Sequence, residues 1–403
     1  MTWTLFLAVL ALVLSVVVLV MLLTQRKLLR ATIRSVKELA KQHGSHAAVP
    51  MSSTAQNAAY VVYNPSKNID WDYLKDVVQS TAIEASLPEP VWLATTVEDP
   101  GGGQARQAIE AGASVVIAVG GDGTIRTVAQ ELAGSDVPLG ILPAGTGNLL
   151  ARNLQLPLDS MRDAVITALT GREKRLDVGW LIIDESLVAD DLTDRERHAL
   201  EKNARKSRKY READPDSLQP VARGRYAYTV IGGVGFDADI MNSADSSLKS
   251  KFGWIAYVGA AIPHMFTSKI SARITLGKSD EAIVAQLRSV MFLNCAELPG
   301  GFSLDRRADP SDGWLELAAL DVRGGLIGWA DLARRVGLET AGFKASLPTI
   351  ESLSGEVRTH RVQECRVEFD MPQQVEVDGD VLGYARSVRT EVQHGALRVR
   401  VRV

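Results

Sequence analysis

Residues 115–124 read VVIAVGGDGT, a run of residue types suited to holding an anion. Five apolar, mostly β-branched residues stop at Gly120, Gly121, Asp122, Gly123 and Thr124, and an apolar-periodic segment follows. That pattern reads as a buried parallel strand, a tight turn and a helix. Glycines let a backbone bend sharply and approach a bulky anion, and the first N–H groups of a helix point outward with partial positive charge. A carboxylate at Asp122 suits such a site when a cation lies between it and the anion, as magnesium does on a phosphate. The same residues also suit a plain strand-to-helix turn. About twenty residues later Leu139, Gly140, Ile141 and Leu142 form another short apolar run, closed by Pro143, Ala144, Gly145, Thr146, Gly147 and Asn148. Two such turns would meet at the carboxyl edge of one sheet, where open α/β folds bind ligands. Read alone, Asn148 could equally cap a helix and Gly145 shape a turn. A third candidate is Val375-Glu376-Val377-Asp378-Gly379-Asp380, in which Asp-Gly between alternating apolar residues signals a hairpin and leaves Asp380 at its exit.

These turns need a scaffold. Apolar runs at 60–63, 90–96, 115–119 and 138–142 predict strands, and helical patterns lie between them at 70–86, 103–112, 124–134 and 147–171. Strand–helix alternation implies a parallel sheet covered on both faces. After 176–180 the pattern shifts to short strands at 226–232, 270–276, 289–294, 314–320, 365–370 and 374–378, which predicts an antiparallel sandwich or barrel. Residues 397–403 alternate strictly, apolar with basic. Residues 184–225 are densely charged with both signs and read as an inserted, solvated helix or mobile loop, or as a membrane-facing basic helix or regulatory flap.

The N-terminus carries a separate message. No charged side chain occurs from Met1 to Gln25, and Trp3–Leu23 is apolar apart from Thr4 and Ser15. A helix of that length rises about 31 Å, enough to cross a bilayer core. Arg26, Lys27, Arg30, Arg34, Lys37 and Lys41 follow, so the positive-inside rule places the rest in the cytoplasm. The reading is a single-pass cell-membrane anchor over 1–25, a basic juxtamembrane segment and linker over 26–58, and cytoplasmic catalytic domains. The chain has 403 residues, a formal net charge of −3, two cysteines and six histidines. There is room for two domains, no basic field for nucleic acid, no disulfide framework, and no ligand-spaced histidines outside His43 and His46.

Together GGDGT and PAGTGN resemble the diacylglycerol kinase catalytic-domain family, which includes bacterial lipid kinases and is related to sphingosine and ceramide kinases. The resemblance implies a Rossmann-like α/β domain over 59–175, as in NAD kinases and phosphofructokinases. It implies a mostly antiparallel β-sandwich lipid-substrate domain over 176–389, with segment 390–403 returning to the first domain. It implies nucleotide contacts from Asn64, Pro65, Lys67, Thr96 (or Thr95), Gly120, Gly121, Asp122, Gly123, Thr124, Gly145, Thr146 and Asn148. Gly232–Ala238 and Phe252–Tyr257 resemble the motifs that open the second domain. Asp309, Asp312 and Trp314 match a segment that holds a structural magnesium ion in some members. The VDGD segment resembles the one whose final acid takes the proton from the lipid hydroxyl, here Asp380. The implied activity is ATP-dependent phosphorylation of a lipid hydroxyl, of diacylglycerol or a similar alcohol. Asp122 would position Mg2+ on the phosphates and Asp380 would act as base. The expected partners are ATP, a membrane lipid substrate and the lipid bilayer, without nucleic acid; a homodimer is open. The alternative is a membrane-tethered protein that binds nucleotide or lipid without catalysis.

Overall fold

The computed structural model describes residues 56–187, 192–204, 219–234, 270–277, 281–287, 289–298, 302–303, 307–321 and 356–402. In the N-terminal half, strands β1 (Ala59–Tyr63), β2 (Val91–Ala94), β3 (Val115–Gly120) and β4 (Leu139–Pro143) alternate with helices α1 (Trp71–Glu84), α2 (Gly102–Glu110), α3 (Asp122–Leu132), α4 (Leu149–Asn153) and α5 (Met161–Thr170). The four strands pair in parallel, with β1 between β2 and β3 and β3 next to β4. All six residues of β3 are buried, as a strand covered on both faces requires. Val116 and Ala118 pack with Ala105, Ala108, Ile125 and Val128 from α2 and α3. Val115, Ile117 and Val119 pack with Leu74, Val78, Ala164 and Val165 from α1 and α5. Asp70 and Ser160 cap α1 and α5 by accepting hydrogen bonds from the N–H groups of Tyr73 and Asp163.

The single helix expected over 147–171 is two. Helix α4 stops at Asn153, Gln155 takes a left-handed φ of 53°, and Pro157 follows before Ser160 starts α5. Proline removes a backbone donor and crowds the preceding turn, so the pattern cannot run through as one helix.

The rest of the chain is mostly strand. Among the described residues it comprises β5 (Arg172–Ile183), α6 (Asp194–Ala204), β6 (Gly224–Tyr228), β7 (Ile231–Val234), β8 (Ile270–Leu276), β9 (Ala282–Leu287), β10 (Ser289–Leu293), β11 (Glu297–Leu298), β12 (Phe302–Ser303), β13 (Leu315–Asp321), β14 (Glu356–Val362), β15 (Glu364–Val377) and β16 (Asp380–Val401). Their pairings with one another are antiparallel. Tyr228, Phe292, Leu317, Val367 and Val375 centre their core. Strand β16 is the hinge of the topology. Its first half pairs with β15, its second half pairs antiparallel with β5, and Val399 pairs parallel with Leu139 of β4. One hydrogen-bonded path therefore joins the parallel and antiparallel strands. The strand expected over 226–232 is interrupted at Thr229 and Val230, because their N–H groups are taken by the buried Asp378 carboxylate instead of a ladder partner.

The single-pass membrane location expected from the sequence is corrected. Among the described residues no helix is long and apolar enough to cross a membrane. The segment expected to cross, 1–25, lies outside the described residues, as do most of 26–58, Gly235–Ala238 and Phe252–Tyr257.

Candidate active site

The first turn follows β1. Asn64 Oδ1 accepts from the N–H (3.0 Å) and the Oγ (2.7 Å) of Ser66, and Lys67 N–H donates to Asn64 O, 3.2 Å. This closes Asn64-Pro65-Ser66-Lys67 into a tight turn of the kind an asparagine side chain favours. It delivers Lys67 to the glycine turn, where Nζ lies 3.6 Å from the point a Cβ on Gly121 would occupy. Thr96 sits apart from this arrangement in a turn of its own, its hydroxyl accepting from Asp99 N–H at 3.0 Å. Thr95 is buried and its N–H donates to Tyr63 O at 2.9 Å.

The second and third turns touch. A Cβ on Gly145 would stand 2.7 Å from Gly121 Cα, a separation no side chain allows. Asp122 fastens them: Oδ2 accepts from Asn148 N–H at 3.0 Å and Oδ1 from Leu149 N–H at 2.6 Å. Burial pushes the Asp122 carboxyl up, and these N–H donors pull it down; the net direction is upward. Asn148 sits at a left-handed φ of 49° and makes no helix-capping bond. Its Oδ1 accepts from Gly145 N–H and its Nδ2 donates to Gly145 O, both at 2.9 Å, so it clamps the turn closed. Thr124 is buried with its side chain folded onto Gly120, and Thr146 is exposed at the turn tip.

An acid from the far end of the chain completes the arrangement. Asp378 and Gly379 have φ of 48° and 85°, the backbone of a two-residue hairpin turn, and pair Val377 with Asp380. Asp380 lands on the glycine turn, where Oδ2 lies 2.9 Å from a Cβ built on Gly123. Arg126 of α3 donates to the same oxygen from Nη2 at 3.1 Å. Asp378 points the other way. It is buried and accepts from Thr229 N–H, Thr229 Oγ1, Val230 N–H and Ile231 N–H at 2.8–2.9 Å.

Asp309, Asp312 and Trp314 lie outside this cluster in chain terms and serve a turn. Asp309 Oδ1 accepts from the N–H and Oγ of Ser311, and Asp312 Oδ1 accepts from Trp314 N–H at 3.0 Å. Asp312 Oδ2 is ion-paired to Arg361, which also stacks over the Trp314 ring at 5.3 Å and reaches Glu316 Oε1 at 3.2 Å. Among the described residues no group of three or more His, Cys, Asp or Glu side chains is placed to hold a metal ion. Sequence reasoning missed Asp177, a buried acid that anchors this turn. Its oxygens accept from Gly313 N–H (2.6 Å) and Gly395 N–H (2.7 Å), and Oδ1 contacts His394 Nδ1 at 2.8 Å. Its only signal was an acid standing in a strand of otherwise mostly buried residues.

Residues 58–181 match the family profile of the diacylglycerol kinase catalytic domain. This segment belongs to that family. The match covers the first three turns and stops before the segments holding Asp309, Asp312, Trp314 and Asp380. A diacylglycerol kinase of Mycobacterium tuberculosis is 28% identical over 211 residues, 52% of this chain and 56% of its own length. A diacylglycerol kinase of Bacillus subtilis is 34% identical over 125 residues, 30% of this chain and 41% of its own. The chain therefore spans 56% of the length of the first of these curated relatives and 41% of the second. A solved structure of a diacylglycerol kinase from Bacillus anthracis str. Sterne superposes with a TM-score of 0.54 at 15% identity, covering 86% of this chain and 97% of that one. At that identity the likeness shows the fold alone.

Proposed function

We propose that this chain transfers the terminal phosphoryl group of ATP to the hydroxyl of a lipid alcohol, diacylglycerol or similar. The reading is carried by Asp380: a carboxylate from the C-terminal hairpin stands against Gly123, inside the glycine turn of a diacylglycerol kinase catalytic domain. In this mechanism the N–H groups of 120–124 and 146, with the Thr146 hydroxyl and the Lys67 ammonium, cradle the triphosphate. Asn64 and Pro65 shape the turn that carries Lys67, and Asn148 holds the Gly145 turn shut. Asp122 binds the two glycine turns into one cradle. Its charge beside that cradle favours a triphosphate that arrives with magnesium, which supplies charge neutralisation in phosphoryl transfer. Asp380 accepts the proton of the attacking hydroxyl. Around Asp312 the Arg361 guanidinium provides positive charge, so magnesium is assigned to the nucleotide and no resident ion to Asp309, Asp312 and Trp314.

The test is incubation of purified protein with labelled ATP and a mixed lipid extract. Label in the organic phase, lost in Asp380→Asn, supports the kinase. Tight ATP binding with no labelled product supports nucleotide binding without catalysis and contradicts the proposal, as does wild-type label transfer in Asp380→Asn.

A further inference from the structure

We infer that Arg126 is the positioning residue that sets Asp380 for proton transfer; this rests on the reading of Asp380 as the base. Aspartate has one methylene fewer than glutamate with which to reach a substrate, and Asp380 sits at the exit of a two-residue turn, a place with little packing of its own. Its side chain is 45% exposed, so the hairpin alone does not fix its rotamer. Arg126 is different. It rises from the first turns of α3, directly after the glycine turn, and its side chain is only 13% exposed. The guanidinium bonds Asp380 Oδ2 at 3.1 Å, joining positions 254 residues apart in sequence. A planar, rigid donor that is itself held by packing transmits the position of α3 to the carboxylate.

Two further observations make the contact more than an incidental surface pair. The oxygen Arg126 holds is the one closest to Gly123, so the pair fixes the acid against the turn proposed to cradle phosphate. Arg126 Nε is also buried and has no hydrogen-bond partner among the described residues. A buried guanidinium N–H without a partner is costly. It is tolerated where a further acceptor arrives with ligand, and the adjoining turn is where a phosphoryl oxygen would arrive. Arg126 thus has one donor spent on Asp380 and Nε in reserve.

The test compares Arg126→Met, Arg126→Lys, Asp380→Asn and Arg126→Met/Asp380→Asn as full chains, using labelled ATP and dioleoylglycerol in mixed micelles. Arg126→Met should lower kcat about 10- to 100-fold with KM for ATP changed less than about threefold, since positioned acid–base catalysis contributes on this scale. Arg126→Lys should recover part of the loss, because it returns a charge to Asp380 without the planar donor. In the Asp380→Asn background, adding Arg126→Met should cost nothing further, because two residues acting through one group are not additive. Wild-type kcat in Arg126→Met beside an Asp380→Asn that keeps only residual transfer overturns the inference alone. An equal further loss in the double variant also overturns it. Wild-type kcat in Asp380→Asn removes the base itself and the inference with it. A kcat loss in Arg126→Met with no recovery in Arg126→Lys and a lowered Tm assigns Arg126 a structural role instead.

Discussion

Asp378 and Asp380 share one hairpin and divide its duties. Asp378 is buried under four hydrogen bonds from 229–231; Asp380 is half exposed on the glycine turn. Replacing Asp378 with alanine strands three backbone N–H groups, each costing about 1–3 kcal/mol when unpaired. Urea unfolding of Asp378→Ala should show a loss of at least about 3 kcal/mol, whereas Asp380→Asn should unfold like the wild type. Similar losses in both would contradict this division. The glycine turns stood out in the sequence as a candidate anion site because their residue types are unusual between a strand and a helix, whereas the roles expected of Lys67 and Asp380 came from the family resemblance. The roles of Asp378 and Asp177 were not, because a single acid in an apolar run does not reveal which backbone donors will surround it. The two cysteines make a residue-scale prediction of their own. Both are buried, and burial pushes the Cys365 thiol up to about 12 and raises that of Cys295 as well. Neither should react with a thiol reagent at pH 8 until the chain is unfolded.

At the scale of elements, helix α6 lies in the charged insertion, and Glu196 ties it to the sheet. Glu196 accepts from Thr193 N–H (2.9 Å) and Oγ1 (2.7 Å), forming a capping box, and pairs with Arg386 of β16 at 2.7 Å. Burial raises the Glu196 carboxyl, but the Thr193 hydrogen bonds and Arg386 together hold it below its usual range. A lowered folded value means that stability is gained above the unfolded value and lost as pH falls through the folded one. Hydrogen exchange corrected for its intrinsic pH dependence should show protection of 194–204 at neutral pH that fades below about pH 4. In Glu196→Gln that protection should be weak at both. The sequence showed the charges here but not the helix's attachment, since Arg386 is 190 positions away. Strand boundaries were legible where an apolar run stopped at a glycine turn, as in the fully buried β3, or where burial alternated, as in β8. They failed at 226–232, where a distant carboxylate takes the ladder's donors.

At the scale of the molecule, β16 carries the architecture. It begins at the candidate base and continues past β15 onto β5 and β4, burying Leu397, Val399 and Val401 in the core of the parallel half. The alternation of 397–403 made its burial legible, and the family resemblance supplied the half it joins. Ending the chain after Arg389 should therefore destroy folding of both halves together, seen as loss of the cooperative thermal transition; a truncated protein with a stable parallel half would contradict this. The site inherits the same dependence, because the acid and the glycine turns come from opposite ends of the chain.

The most direct measurement is a crystal structure with magnesium and a non-hydrolysable ATP analogue. The account predicts the β- and γ-phosphates between turns 120–124 and 145–148, within hydrogen-bonding reach of Lys67 Nζ and with the γ-phosphate facing Asp380. Phosphates bound elsewhere, or an analogue that leaves these turns empty at saturating concentration, would contradict it.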